Sequence, residues 1–174
     1  MAIFTLQLLN MSKLVASLES GLHFQLNQLA GNWAGETRTW FEPGDPVDVS
    51  PMTGQIRPLF DGRFMMHEYK GSFQGKPFEG IAIYGHHIKN GNFQAAWMDT
   101  FHMGTGIMLS EGVKDGEFFS VQGSYTASAE DTQAWGWRTT IELKDDGSLV
   151  ITAYNIEPGG QEQIATETRY QRQS

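Results

Sequence analysis

Between Asp61 and Asp99 the chain reads D-G-R-F-M-M-H-E-Y-K-G-S-F-Q-G-K-P-F-E-G-I-A-I-Y-G-H-H-I-K-N-G-N-F-Q-A-A-W-M-D. Three runs rich in aromatic and β-branched residues are separated by Q-G-K and K-N-G-N, the pattern of consecutive antiparallel strands joined by short turns. The same grammar continues to the C-terminus. Strands are expected near 32–41, 53–60, 62–73, 77–88, 93–101, 106–113, 117–126, 134–144, 148–156 and 162–171. Asn90-Gly91, Asp115-Gly116 and Asp146-Gly147 are hairpin signals, because a type I′ turn needs positive φ at both central residues.

Helical periodicity is confined to one place. Leu14, Val15, Leu18, Leu22, Leu26 and Leu29 recur at three- and four-residue steps, which predicts a helix over Ser12–Leu29 with Ser12 as N-cap and Gly21 as a weak point. One helix followed by about ten sequential strands, with no strand–helix alternation, predicts an all-β, up-and-down antiparallel sheet closed into a barrel, since closure removes exposed edges. The division is residues 1–28 as leader and helix, and 29–174 as the barrel domain. Met11 opens a second start, M-S-K-L, and the residues before it read as an upstream start or leader. Glu42–Met52, with three prolines, reads as a stiff loop over one barrel end.

Composition narrows the partners. At 174 residues there is room for one domain with a real core. A net charge of −8 without a Lys/Arg cluster argues against nucleic acid. The absence of cysteine excludes disulfide scaffolds, thiol catalysis and thiolate-held metals, and fits a cytoplasmic location. No apolar run reaches the ~18–20 residues of a membrane-spanning helix.

Short turns within Gln74–Lys76 and at Asn90-Gly91 set the facing of side chains. One face then collects Met65, His67, Tyr69, Phe78, Ala82, Tyr84, His86, Phe93, Ala95, Trp97 and Asp99. The other collects Phe64, Met66, Glu68, Lys70, Glu79, Ile81, Ile83, His87, Gln94 and Met98. The second face carries the charges and is expected outward. Its Ile81, Ile83 and Met98 form an apolar patch that the N-terminal helix or a second copy in a homodimer could cover. The first face is expected to line the interior, and an aromatic interior with a few convergent polar groups is the composition of a small-ligand pocket.

Several blocks resemble a known family. L-A-G-N-W-A-G-E (Leu29–Glu36), W-F-E-P-G-D-P, the run from Asp61 through Gly80, W-M-D-T (Trp97–Thr100), M-L-S-E-G (Met108–Gly112) and T-E-T-R-Y-Q-R are similar to domain-of-unknown-function family 1579 over about Leu29 to Arg172. That resemblance implies a calycin-like barrel, related to lipocalins and fatty-acid-binding proteins. It also implies a cation–π closure of the barrel end by Gly31, Trp33 and either Arg169 or Arg172. No activity comes with it. Where the family commonly reads G-Y-D at the end of the fourth strand, this chain has Tyr84-Gly85-His86-His87, without the carboxylate.

The polar residues admit several chemistries. His67 and Asp99 are the candidate acid–base pair for a small enzyme. His67, His86 and Asp99 could ligate zinc or iron, and His67, His86 or His102 could serve as a haem axial ligand. A hydrogen-bonded polar cluster outweighs these, because no local spacing marks a metal or haem site, so no cofactor and no metal is predicted. Trp33, Trp40, Trp97, Trp135 and Trp137 read first as core packing. Arg138 is either an inward anchor for a ligand carboxylate or a solvated charge. The expected function is binding of a small hydrophobic or aromatic ligand by Met65, His67, Tyr69, Phe78, Tyr84, His86, Phe93, Trp97 and Asp99, with the small enzyme and the haem protein as alternatives.

Overall fold

The computed structural model describes residues 12–112, 118–126 and 132–174. Two short helices come first, α1 (residues 12–20) and α2 (Leu22–Asn27), followed by ten strands among the described residues. The strands are β1 (Gly31–Thr39), β2 (Asp48–Leu59), β3 (Phe64–Phe73), β4 (Lys76–His87), β5 (Asn92–Asp99), β6 (Met108–Glu111), β7 (Phe119–Tyr125), β8 (Trp135–Leu143), β9 (Leu149–Ile156) and β10 (Glu162–Gln173). Each pairs antiparallel with its sequence neighbours, and β1 pairs with β10 from Asn32↔Gln173 to Thr39↔Thr166, so the sheet closes into an up-and-down barrel.

Prolines mark where the ladder is one-sided. Pro51 lies on β2 opposite Glu36 of β1, before pairing with β3 begins at Met52. Pro58 lies opposite Met65 of β3, after pairing with β1 ends at Ile56. A residue with no N–H to donate fits only where a strand has no neighbour on that side. The stiff loop expected over Glu42–Met52 is accordingly shorter. The chain enters β2 at Asp48, since Asp48–Met52 can pair with Thr39–Gly35 despite Pro51.

Facing follows the expected parity. Gln74 and Gly75, with φ of 49° and 77°, form a two-residue turn that pairs Phe73 with Lys76. The next connection is four residues long, not two: His87 pairs with Asn92, Gly91 N–H donates to the His87 carbonyl at 2.7 Å, and Gly91 but not Asn90 has positive φ. Two added residues leave the parity unchanged, and His86 still faces Phe93. The Asp146-Gly147 hairpin is longer still, five residues (144–148) that close Leu143 on Leu149 with positive φ only at Gly147, and its three added residues reverse the parity across that turn. Asp115-Gly116 and the leader before Ser12 lie outside the described residues.

The expected single helix is broken at Gly21, which takes an extended conformation (φ −102°, ψ −154°). The break turns α2 across one barrel end instead of along the outer wall. Leu26 and Leu29 are 0% exposed and join Trp33, Met65, Phe119 and Leu149 in the main core. Asn27 ties the helix to the β2–β3 loop by donating to the Gly62 carbonyl at 2.9 Å. Ile81, Ile83 and Met98 face outward, partly buried. Among the described residues no helix is long and apolar enough to cross a membrane.

Candidate functional site

The barrel end opposite α2 holds a cavity of about 100 Å³, lined from all ten strands. At its depth sit His67 of β3, Tyr84 of β4 and Tyr170 of β10, placed there by strand alternation. His67 is 4% exposed, with Nδ1 3.3 Å from the Tyr84 hydroxyl and Nε2 3.5 Å from that of Tyr170. Burial pushes the imidazole down to about 4, so it is neutral at physiological pH. Burial also pushes the phenols of Tyr84 and Tyr170 well above their ordinary range. The floor is polar but uncharged. Beside it, the Thr37 and Thr168 hydroxyls bond each other at 2.7 Å.

The middle layer depends on two inward-facing glycines. A Cβ at Gly54 would lie 2.7 Å from His67 Nε2, and one at Gly80 would overlap the Tyr69 hydroxyl. Their bare backbones let Tyr69 and Tyr170 lie across the barrel. Trp97 Nε1–H donates to Tyr69 Oη at 2.7 Å, which satisfies the indole N–H. Burial and then the negative charge of Asp99 raise the Tyr69 phenol.

The upper layer is built from β5 and the loop after it. Asp99 accepts backbone N–H bonds from Phe101 (3.2 Å), His102 (2.6 Å) and Met103 (2.9 Å), and its Oδ2 lies 2.7 Å from His102 Nδ1. Burial alone would raise this carboxyl, but the His102 bond and charge and the backbone bonds outweigh it and hold the group below its ordinary value. The loop is therefore folded back onto Asp99, and His102 lies over the cavity with its ring centroid 5.5 Å from both Trp97 and Trp137. Those indoles stack on each other at 5.2 Å and 16°. A chain of rings continues outward: Phe78 on Phe101 at 5.5 Å, Phe101 on Phe73 at 4.9 Å, and Phe73 on Phe41 at 5.6 Å, where Phe41 is 65% exposed.

Of the nine residues expected to contact a ligand, six line this cavity: His67, Tyr69, Phe78, Tyr84, Trp97 and Asp99. Met65, His86 and Phe93 also face inward but belong to the end closed by α2. There His86 meets His23 edge-on at 5.6 Å and Phe93 packs on Phe118 and Phe119. His67 and Asp99, the candidate acid–base pair, bond to different partners: His67 to two tyrosines, Asp99 to His102. Arg138 points away from the cavity, where its Nε donates to Glu162 at 3.0 Å and its guanidinium covers Tyr154 at 4.2 Å, so it is not an inward anchor. Among the described residues no three His, Asp or Glu side chains gather to hold a metal.

Sequence reasoning missed Tyr170, which the Thr166–Thr168–Tyr170 alternation on β10 could have revealed. It had no means of pairing His102 with Asp99, because a loop carries no periodicity. No curated protein matches this chain. A family model described as "Protein of unknown function (DUF1579)" matches residues 19–172, which take in α2 and the barrel as far as Arg172, and the chain belongs to that family.

Proposed function

We propose that the protein binds a small hydrophobic or aromatic ligand inside the barrel, at the end opposite α2. The observation that supports this is the cavity itself. It is about 100 Å³, walled by Tyr69, Phe78, Trp97 and Trp137, and reached past a rim of phenylalanines. A cavity of this order accepts a single ring or its aliphatic equivalent. Burial against these rings would supply the affinity, and the hydroxyl and imidazole groups the orientation. Among the described residues lining it, Asp99 is the only acid and none is Lys or Arg, which favours a neutral ligand over a fatty acid or other anion.

The same reading takes the barrel as calycin-like, supported by Trp33 near the start of β1 lying beneath Arg172 near the end of β10. A small enzyme is the second reading, favoured by the Asp99–His102 hydrogen bond at the cavity.

Native mass spectrometry of gently purified protein tests the binding reading. Wild type is expected to carry a small-molecule mass, or to gain one on exposure to toluene, and Ala153→Phe, which fills the cavity from β9, is expected to carry none. A wild type that stays at its bare mass in toluene overturns it.

A further inference from the structure

We propose that His102 is the polar anchor of this site, its Nε2 accepting a hydrogen bond from a hydroxyl on the ligand. The barrel thereby selects a neutral, phenol-like ring over the same ring without a donor. This rests on the binding reading above and adds the chemical class of ligand.

The argument begins at Asp99. Its side chain is fully buried and held by three backbone N–H groups, so its position is set by the loop and not by solvent. An ionised carboxylate can only accept, so the 2.7 Å contact with His102 requires the proton to sit on Nδ1. In the neutral imidazole the lone pair is then on Nε2. Among the described residues no side chain is hydrogen-bonded to that atom. The His102 ring lines the cavity, its side chain 27% exposed, and packs near Trp97, Trp137 and Phe101. In its neutral form the ring is an acceptor at the edge of an aromatic box.

The ring-bearing polar groups of the cavity other than His102 are engaged with one another, while the Thr39, Ser110, Thr139 and Thr166 hydroxyls also line the wall. The Trp97 N–H goes to Tyr69, His67 lies against Tyr84 and Tyr170, and Thr37 bonds Thr168. A ring with a hydroxyl can stack among the rings and donate to His102. A ring with a carboxylate would bring a second negative charge toward Asp99, with no Lys or Arg among the described residues lining the cavity.

The test titrates the full chain with p-cresol, p-methylanisole and p-toluate, following the fluorescence of the cavity tryptophans. Wild type is expected to bind p-cresol about tenfold more tightly than p-methylanisole, the worth of one hydrogen bond, and p-toluate most weakly. His102→Phe is expected to erase the p-cresol preference, and His102→Gln, which keeps an acceptor, to restore part of it. Equal binding of p-cresol and p-methylanisole by wild type overturns the role of His102 while leaving the cavity reading standing. Failure of every probe to bind overturns both. The wild-type comparison decides even if His102→Phe does not fold.

Discussion

The guanidinium of Arg172 lies over the indole of Trp33, its Cζ 4.3 Å from the ring centroid, and Nη2 donates to the Gln28 carbonyl at 2.8 Å. A second nitrogen bonds the Ala30 carbonyl, so one side chain of β10 joins the last strand, the first strand and the carbonyls that follow α2. Arg172→Ala should cost about 1–3 kcal/mol, as the sum of a cation–π contact and two hydrogen bonds, measured by urea unfolding. Arg172→Lys should recover part of that. An unchanged midpoint for Arg172→Ala would show that the closure contributes nothing to stability.

His67 makes stability pH-dependent with a definite sign. In the unfolded chain its imidazole titrates near 6.5, and in the barrel it stays neutral down to about 4. Below pH 6.5 the unfolded state therefore binds a proton that the folded state refuses. Stability is complete above that value and is lost as pH falls toward 4, by up to about 3 kcal/mol. His67→Gln, which keeps hydrogen-bonding capacity without the charge, should flatten this limb when urea midpoints at pH 7 and pH 4.5 are compared. An equally steep fall in the variant would exclude His67 as its source.

Gly80→Ala should destabilise the barrel by about 1–3 kcal/mol, the usual cost of overpacking. The added methyl would overlap the Tyr69 hydroxyl and lie 2.8 Å from Asp99 Cβ. Because Tyr69 would be pushed from its wall position, ligand binding should fall too. A stable Gly80→Ala with intact binding would show that Tyr69 has room to move.

Tyr69→Phe leaves the Trp97 N–H without its acceptor. The expected cost is about 1–3 kcal/mol in thermal or urea unfolding, with a changed tryptophan emission spectrum. An unaltered spectrum would mean that the 2.7 Å bond does not persist in solution.

The barrel was legible because period-two alternation survives errors in turn length. The connection after His87 has four residues where two were expected, yet Tyr84, Trp97 and Asp99 still face inward. Parity is what matters, and adding two residues does not alter it. Helix placement was less legible. The leucine spacing from Leu14 to Leu29 announces an apolar face, but the bend at Gly21 decides that this face plugs a barrel end.

The pocket divides in the same way. Local pattern alone determined the antiparallel strands, their inward rows and the aromatic character of the interior, because each depends on neighbours one or two residues apart. Tertiary structure decided which inward residues share a space. It separated His86 from His67 by giving one end of the barrel to α2. It brought Tyr170 to His67 across 103 residues, and it turned the loop after Asp99 so that His102, not His67, became the partner of that carboxylate. Closure of a sheet and the docking of a loop depend on contacts distant in sequence, and no local periodicity encodes them.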